Sequence, residues 1–410
     1  MTQPLAVADS ASADPVPFEL TRHQFQWLGT GRSLLLAQLE AIIAARASVR
    51  LEMYIFHQSK IGDRYREELI NAADRGAEVW VLIDALGSFE LPGDYFNELI
   101  ARPNGHMRWF NRPRFDTLSF RDHRKVVVAD AAVAFLGGGN IAEEYCGDGV
   151  TEGWRDGGLG VRGPVVEVLA EEFDAQFARA EQKRWRVHHG HHRRRVPCGA
   201  EVDALFLKPG FGRNPLSDAM RQDLRVSREI SLISAYFLPT LNLRRQLTAA
   251  AQRGARVRLI LAGKSDVPFM QLAGRSYYRA LLRRGIEIYE FEPQILHAKM
   301  FLLDDIVYIG SANLDPRSLR INFELMLRIH DAPLAEVARN QFALDLSHSR
   351  RVTLADLRGR TSWWLRLKQN LARWVLARLD PLIAETRMRR WIKSSSERRA
   401  RRAERKPQRT

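Results

Sequence analysis

The sequence predicts an α/β protein built as two similar halves on one chain, a pseudo-dimer whose working site lies where the halves meet. Three observations predict it. A long internal repeat runs through the chain, strand-like and helix-like runs alternate inside each copy, and one short His–Lys motif occurs once per copy.

The repeat is legible residue by residue. Arg50-Leu-Glu-Met-Tyr-Ile-Phe56 resembles Glu229-Ile-Ser-Leu-Ile-Ser-Ala-Tyr-Phe237. Ala72-Ala-Asp-Arg-Gly-Ala-Glu-Val-Trp-Val-Leu-Ile83 resembles Ala250-Ala-Gln-Arg-Gly-Ala-Arg-Val-Arg-Leu-Ile-Leu261, and His106–Phe110 sits where Ile286–Glu290 sits later. The offset stays near 180: Tyr54 to Tyr236 is 182, Arg75 to Arg253 is 178, and His123 to His297 is 174. Val79–Ile83 and Val257–Leu261 are rich in β-branched residues and read as strands. Each follows a helical stretch ending in Arg-Gly, where Gly76 or Gly254 supplies a left-handed helix stop.

The motifs are His123-x-Lys125-x4-Asp130 and His297-x-Lys299-x4-Asp304. On a strand, residues i and i+2 share a face, so each His projects beside its Lys. Gly137-Gly-Gly-Asn140 follows the first motif and Gly310-Ser-Ala-Asn313 the second, both short turns able to approach a phosphate. An acid then opens a further strand, Asp156 in one half and Glu324 in the other.

These residue types suit phosphodiester transfer without a metal or cofactor. Such a transfer needs a nucleophile, an acid for the leaving alkoxide, and positive charge on the non-bridging oxygens. One neutral imidazole can attack phosphorus while the other, protonated, donates to the leaving oxygen. Lys125, Lys299, Asn140, Asn313 and Ser311 offer donors to the phosphate, and Asp156 and Glu324 can each accept from a His Nδ1–H. A single His-x-Lys on a strand is weak evidence, but two full strings at matched places of a repeat are strong. Asp130 and Asp304 are candidates for chemistry or, equally, for a turn at the strand end. Gly138 stands where the second half has Ser311, so the half-sites are not equivalent.

Both motifs resemble those of the phospholipase D superfamily, over roughly residues 20–345. The wider strings Ala134-Phe-Leu-Gly-Gly-Gly-Asn140, Trp154-Arg-Asp156, Gly163-Pro164, Gly310-Ser-Ala-Asn-Leu-Asp-Pro-Arg-Ser318 and Asn322-Phe-Glu324 resemble bacterial cardiolipin synthases. The likeness is to the short form without N-terminal transmembrane helices. It implies two phospholipase D-like halves related by a pseudo-two-fold axis, with the active site at their interface. It also implies transfer of a phosphatidyl group to a lipid alcohol such as phosphatidylglycerol, with His123 as nucleophile and His297 as acid/base. Phosphatidylglycerol and phosphatidylethanolamine are the candidate phospholipid substrates. A hydrolase or a nuclease of the same superfamily is the alternative, and a non-catalytic relative is disfavoured because both His and both Lys are present.

Charge argues for lipid over nucleic acid. The 410 residues carry a net charge of +15. Residues 351–410 hold 18 Lys and Arg against 5 Asp and Glu, a net +13, which leaves +2 for the rest. A nucleic-acid enzyme spreads positive charge over its body, whereas a local basic segment suits an anionic membrane surface. Trp363-Trp-Leu-Arg-Leu-Lys-Gln-Asn-Leu-Ala-Arg-Trp-Val375 reads as an interfacial amphipathic helix, followed by a polybasic tract over 387–409. The expected location is peripheral, on the cytoplasmic face of the cell membrane.

The expected domain order is a disordered leader at 1–18, a first half at 19–185, a linker at 186–199, a second half at 200–350 and the basic tail at 351–410. The linker holds His188, His189, His191 and His192, read as solvated residues and not as a metal site. Cys146 and Cys198 stand alone without a CxxC pair, so neither a zinc site nor a disulfide framework is expected.

Overall fold

The computed structural model describes residues 22–112, 119–180, 194–210, 213–359 and 363–376. The expected leader, the four linker histidines and the polybasic tract lie outside the described residues.

The first half holds β1 (Gln24–Leu28), β2 (Ser48–Met53), β3 (Glu78–Asp84), β4 (Gly105–Phe110), β5 (Val126–Ala129), β6 (Val133–Gly137) and β7 (Gly158–Arg162). They form one sheet in the order β1-β7-β6-β5-β2-β3-β4. The second half holds β8 (Arg194–Cys198), β9 (Val202–Leu207), β10 (Glu229–Ser234), β11 (Arg256–Ala262), β12 (Glu287–Phe291), β13 (Lys299–Leu303), β14 (Ile306–Gly310), β15 (Glu324–His330) and β16 (Ser349–Val352). Their order is β16-β12-β11-β10-β13-β14-β15-β9-β8. Seven of these, from β9 to β12, repeat the first sheet strand for strand; β8 and β16 extend the edges.

Each β–α–β unit forms for local reasons. Ser59 caps the helix Lys60–Asp74 by accepting from Gly62 N–H, and Thr240 caps Leu241–Gln252 by accepting from Leu243 N–H. Both helices stop at the expected glycine: Gly76 and Gly254 each take φ +95°, a conformation favourable only without a Cβ. The strands that follow pair in parallel, β2 with β3 and β10 with β11.

The central strands β5 and β13 are buried along their whole length, because both faces of each sheet are covered. Helices cover the outer faces. The inner faces meet each other, where Val126, Val128, Leu136 and Leu159 of one half share a core with Met300, Leu302, Ile309 and Leu325 of the other.

Two boundaries move. Arg194–Cys198, placed in the linker by composition, pairs with β9 as an edge strand. At the other end β16 pairs with β12, so the second sheet runs past 350 into the expected tail. The helix Trp363–Trp374 forms as expected, but it packs along the helix Pro268–Arg275, with Ala372 buried in the core of the second half. Part of the expected interfacial helix is therefore a docked element of the body, while Leu371 and Trp374 stay exposed.

Candidate active site

The halves are stitched by backbone at the two histidines. His123 N–H donates to Phe323 O at 2.9 Å, and His297 N–H donates to Arg155 O at 2.8 Å. Each histidine therefore enters its strand while held against the other half. Arg155 is fixed in turn by a buried bidentate pair with Asp345, at 2.6 and 2.7 Å.

This stitching crosses the orienting acids. His123 Nδ1 lies 2.9 Å from Glu324 Oε2, and His297 Nδ1 lies 2.6 Å from Asp156 Oδ2. The carboxylate of each half thus holds the imidazole of the other, so neither half contains a complete site. With Nδ1–H on the carboxylate, Nε2 is the remaining acceptor nitrogen of each ring, a tautomer assigned from the partners; at His297 the Lys299 Nζ also lies 2.7 Å from Nδ1 and 3.3 Å from Nε2.

The surroundings set the charges. Burial pushes the His123 imidazole down to about 4, helped by Lys125 and opposed by Glu324. His297 is lowered by burial and then by Lys299, against the pull of Asp156 and Asp266. Burial would raise Asp156, but Lys299 and His297 overcome it and hold the carboxyl below its usual range. Lys125 falls to about 7 through burial, eased by Glu324, and Lys299 is lowered through burial. Lys125 Nζ donates to His123 O at 2.7 Å and sits 5.0 Å over the Tyr54 ring. Lys299 Nζ lies 3.9 Å from Asp156 Oδ2.

The two half-sites differ around their acids. Ser311 Oγ donates to Glu324 Oε2 at 2.6 Å, so its hydroxyl positions the acid. A Cβ on Gly138 would meet the Asp156 carboxylate oxygens at 2.5 and 2.6 Å. Gly138 is therefore a space requirement: one half sets a longer acid against a serine, the other a shorter acid against a glycine.

Asn140 and Asn313 tie loops together beside the histidines. Asn140 Oδ1 accepts from Ile55 N–H at 3.1 Å and its Nδ2 donates to Tyr145 Oη at 2.8 Å; Asn313 Oδ1 accepts from Tyr236 N–H at 3.3 Å.

Asp130 and Asp304 sit at turns. Both lie beyond the far ends of β5 and β13, five residues of extended chain, or roughly 16 Å, from their lysines. Asp130 accepts from the backbone N–H of Arg46, Ala47 and Ser48, and Asp304 from those of Arg228 and Glu229. Both occupy left-handed turns, φ 53° and 49°. They anchor the turn to the neighbouring strand and stand apart from the imidazoles.

Aromatic side chains line the site and were not singled out by sequence as site residues. Tyr54 packs on His123 with centroids 4.7 Å apart; Tyr145, Trp154 and Tyr236 surround His297 at 5.3, 5.6 and 6.4 Å. Tyr54 and Tyr236 were visible as matched letters of the repeat. Strand pairing shifts that match by one, because Phe56 bridges Ile141 as Phe237 bridges Leu314, an offset of 181. Tyr236 Oη also donates to Asp266, an exposed acid with no counterpart in the first half, where Ser88 stands.

Comparison with known proteins assigns the family. The family described as cardiolipin synthase, PLD-like domain, matches residues 39–152 and 220–346, one segment in each half. Cardiolipin synthase B of Escherichia coli (strain K12) is 31% identical over 364 residues, covering 87% of each chain. Cardiolipin synthase A of Pseudomonas entomophila (strain L48) is 31% identical over 360 residues, covering 83% of this chain and 72% of its own. The crystal structure of phosphatidylserine synthase from Haemophilus influenzae Rd KW20 superposes with a TM-score of 0.63, covering 88% of this chain and 95% of that one. At 15% identity that likeness is one of fold. Matched in both halves and along most of its relatives' length, the chain belongs to the cardiolipin synthase family and is a phosphatidyltransferase of the phospholipase D superfamily.

Proposed function

We propose that the protein moves a phosphatidyl group from one phospholipid to a hydroxyl of phosphatidylglycerol, forming cardiolipin through a phosphohistidine. The observation that carries this reading is the crossed pair of imidazole–carboxylate contacts, His123–Glu324 and His297–Asp156. They leave two Nε2 atoms as the reactive nitrogens of one shared site.

In the first step the neutral His123 Nε2 attacks phosphorus. The P–O bond to the headgroup breaks, and the leaving alkoxide takes a proton from His297 Nε2. Bringing the phosphodiester anion between the rings favours protonated His297, opposing the burial that lowers it. Lys125 and Lys299 supply positive charge to the non-bridging oxygens. In the second step His297 Nε2 takes the proton from the acceptor hydroxyl, the alkoxide attacks phosphorus, and the P–N bond to His123 breaks. Each general acid–base step of this kind is worth about 10²–10⁴-fold. Phosphatidylglycerol or phosphatidylethanolamine serves as phosphatidyl donor. Among the described residues no helix is long and apolar enough to cross a membrane; attachment is proposed as peripheral, at the cytoplasmic face.

The test is incubation with phosphatidylglycerol vesicles in the presence of EDTA. Cardiolipin formation, lost in His123→Ala and in His297→Ala, is the expected result. Activity on DNA without activity on lipid would overturn the reading, and a metal requirement would overturn the mechanism.

A further inference from the structure

The loop after the third strand of each half runs to the rim of the site. In the first half a Cβ on Gly87 would lie 2.8 Å from the Tyr54 ring, and that ring packs on His123. Ser88 pins the same loop by donating to Tyr54 O and accepting from Phe56 N–H. In the second half Asp266 accepts from Tyr236 Oη, and the Tyr236 ring stands beside His297. The residues that follow these anchors are Phe89 and Val267, equivalent positions by the offset of 178 that relates Val79 to Val257.

Both positions expose apolar side chains. Phe89 is 72% exposed, Val267 38% and Phe269 42%. The helix Trp363–Trp374 packs along the helix Pro268–Arg275 that begins at this second rim. Lys264, in the loop just before Val267, is also exposed. Exposed apolar side chains occur elsewhere on the body, Val226 and Leu241 among them, but Phe89, Val267 and Phe269 follow directly on the two loops that abut Tyr54 and Tyr236 beside the histidines. Their arrangement, large apolar and aromatic groups beside a cation, is that of a headgroup–acyl boundary with anionic lipid.

We propose that these two rims seat the site mouth directly on a phospholipid bilayer. Phe89 inserts on one side and Val267 and Phe269 on the other, so a lipid headgroup reaches the histidines without its acyl chains leaving the membrane. This rests on the reading that the substrate is a phospholipid, and it names the surface and the residues that present it.

The experiment compares the wild type with the double variant Phe89→Ser/Phe269→Ser. Co-sedimentation with phosphatidylglycerol vesicles is measured first. Turnover is then measured on the same vesicles and on a short-chain phosphatidyl donor dissolved as monomers. The expected result is a tenfold or greater loss of vesicle binding and an equal fall in the ratio of vesicle to dissolved turnover. Phe89→Trp keeps vesicle binding. Unchanged vesicle binding, or equal loss on both substrates, overturns the proposal. Binding that depends on Phe89 and Phe269 in a protein that transfers no phosphatidyl group would uphold the docking surface and overturn the functional reading instead.

Discussion

Replacing Gly138 by alanine adds one methyl group and tests the asymmetry of the half-sites. The new Cβ would lie 2.5 Å from Asp156 Oδ1, 2.6 Å from Oδ2 and 2.9 Å from Cγ. Ordinary contact begins near 3.4 Å, so the carboxylate must retreat by 3.4 − 2.5, or about 0.9 Å. That retreat disrupts the 2.6 Å contact to His297 Nδ1. A misplacement of about 1 Å at a catalytic group costs roughly 10²-fold in rate, or about 2.7 kcal/mol at 1.36 kcal/mol per tenfold. The overpacking itself costs about 1–3 kcal/mol of stability. Gly138→Ser, which copies the residue of the second half, is expected to fail in the same way, because the acid it faces is an aspartate. Ser311→Ala is the counterpart: it removes the hydrogen bond to Glu324 and the acceptor of Leu325 N–H but forces nothing to move, a stability loss of about 1–3 kcal/mol. The assay is kcat for cardiolipin formation on vesicles, with a thermal melt for each variant. Turnover of Gly138→Ala within twofold of wild type, or a larger loss for Ser311→Ala, would refute the reasoning.

Three further outcomes follow from the same geometry. Asp130→Ala, which removes acceptors from three backbone N–H groups, is expected to lower stability by about 1–2 kcal/mol with kcat nearly unchanged; Asp304→Ala is expected to behave alike, and melting curves beside kcat check both. Because His123 must be neutral to attack and burial holds it at about 4, the acid limb of kcat/KM is expected near that pH, well below an unperturbed histidine. The Asp266 carboxylate raises His297, so Asp266→Asn lowers the pH at which His297 loses its proton, and the alkaline limb of the rate profile is expected to move to lower pH.

The duplicated fold was legible because both copies kept the same periodicities and the same Arg-Gly helix stops, and Gly76 and Gly254 adopt matching backbone angles. The His–Lys pairs were legible as matched letters of the repeat, although His123, Lys125 and His297 come just before β5 and β13 and not on them. Crossing of the acids was not: Asp156 and Glu324 each follow their own motif in sequence, and only face-to-face packing of the sheets brings each to the other half's histidine. Spacing alone could not separate Asp130 from the chemistry either. Asp130, five positions beyond Lys125, is near in sequence but lies at the opposite end of the strand. Gly138 was read as a missing hydroxyl, whereas its role is the absence of a Cβ beside Asp156. The helix from Trp363 shows the remaining limit, since an amphipathic pattern with arginines suits a membrane surface and a docked body helix equally.

The central claim is that two motifs make one site, with one of its histidines carrying the phosphatidyl group. Its most direct test is alkaline quenching of wild-type enzyme during turnover, followed by intact-mass and peptide mass spectrometry. A phosphatidyl adduct is expected at no more than one per chain, on the peptide containing His123. Adducts on both His123 and His297 of the same chain, or turnover with no adduct at all, would contradict it.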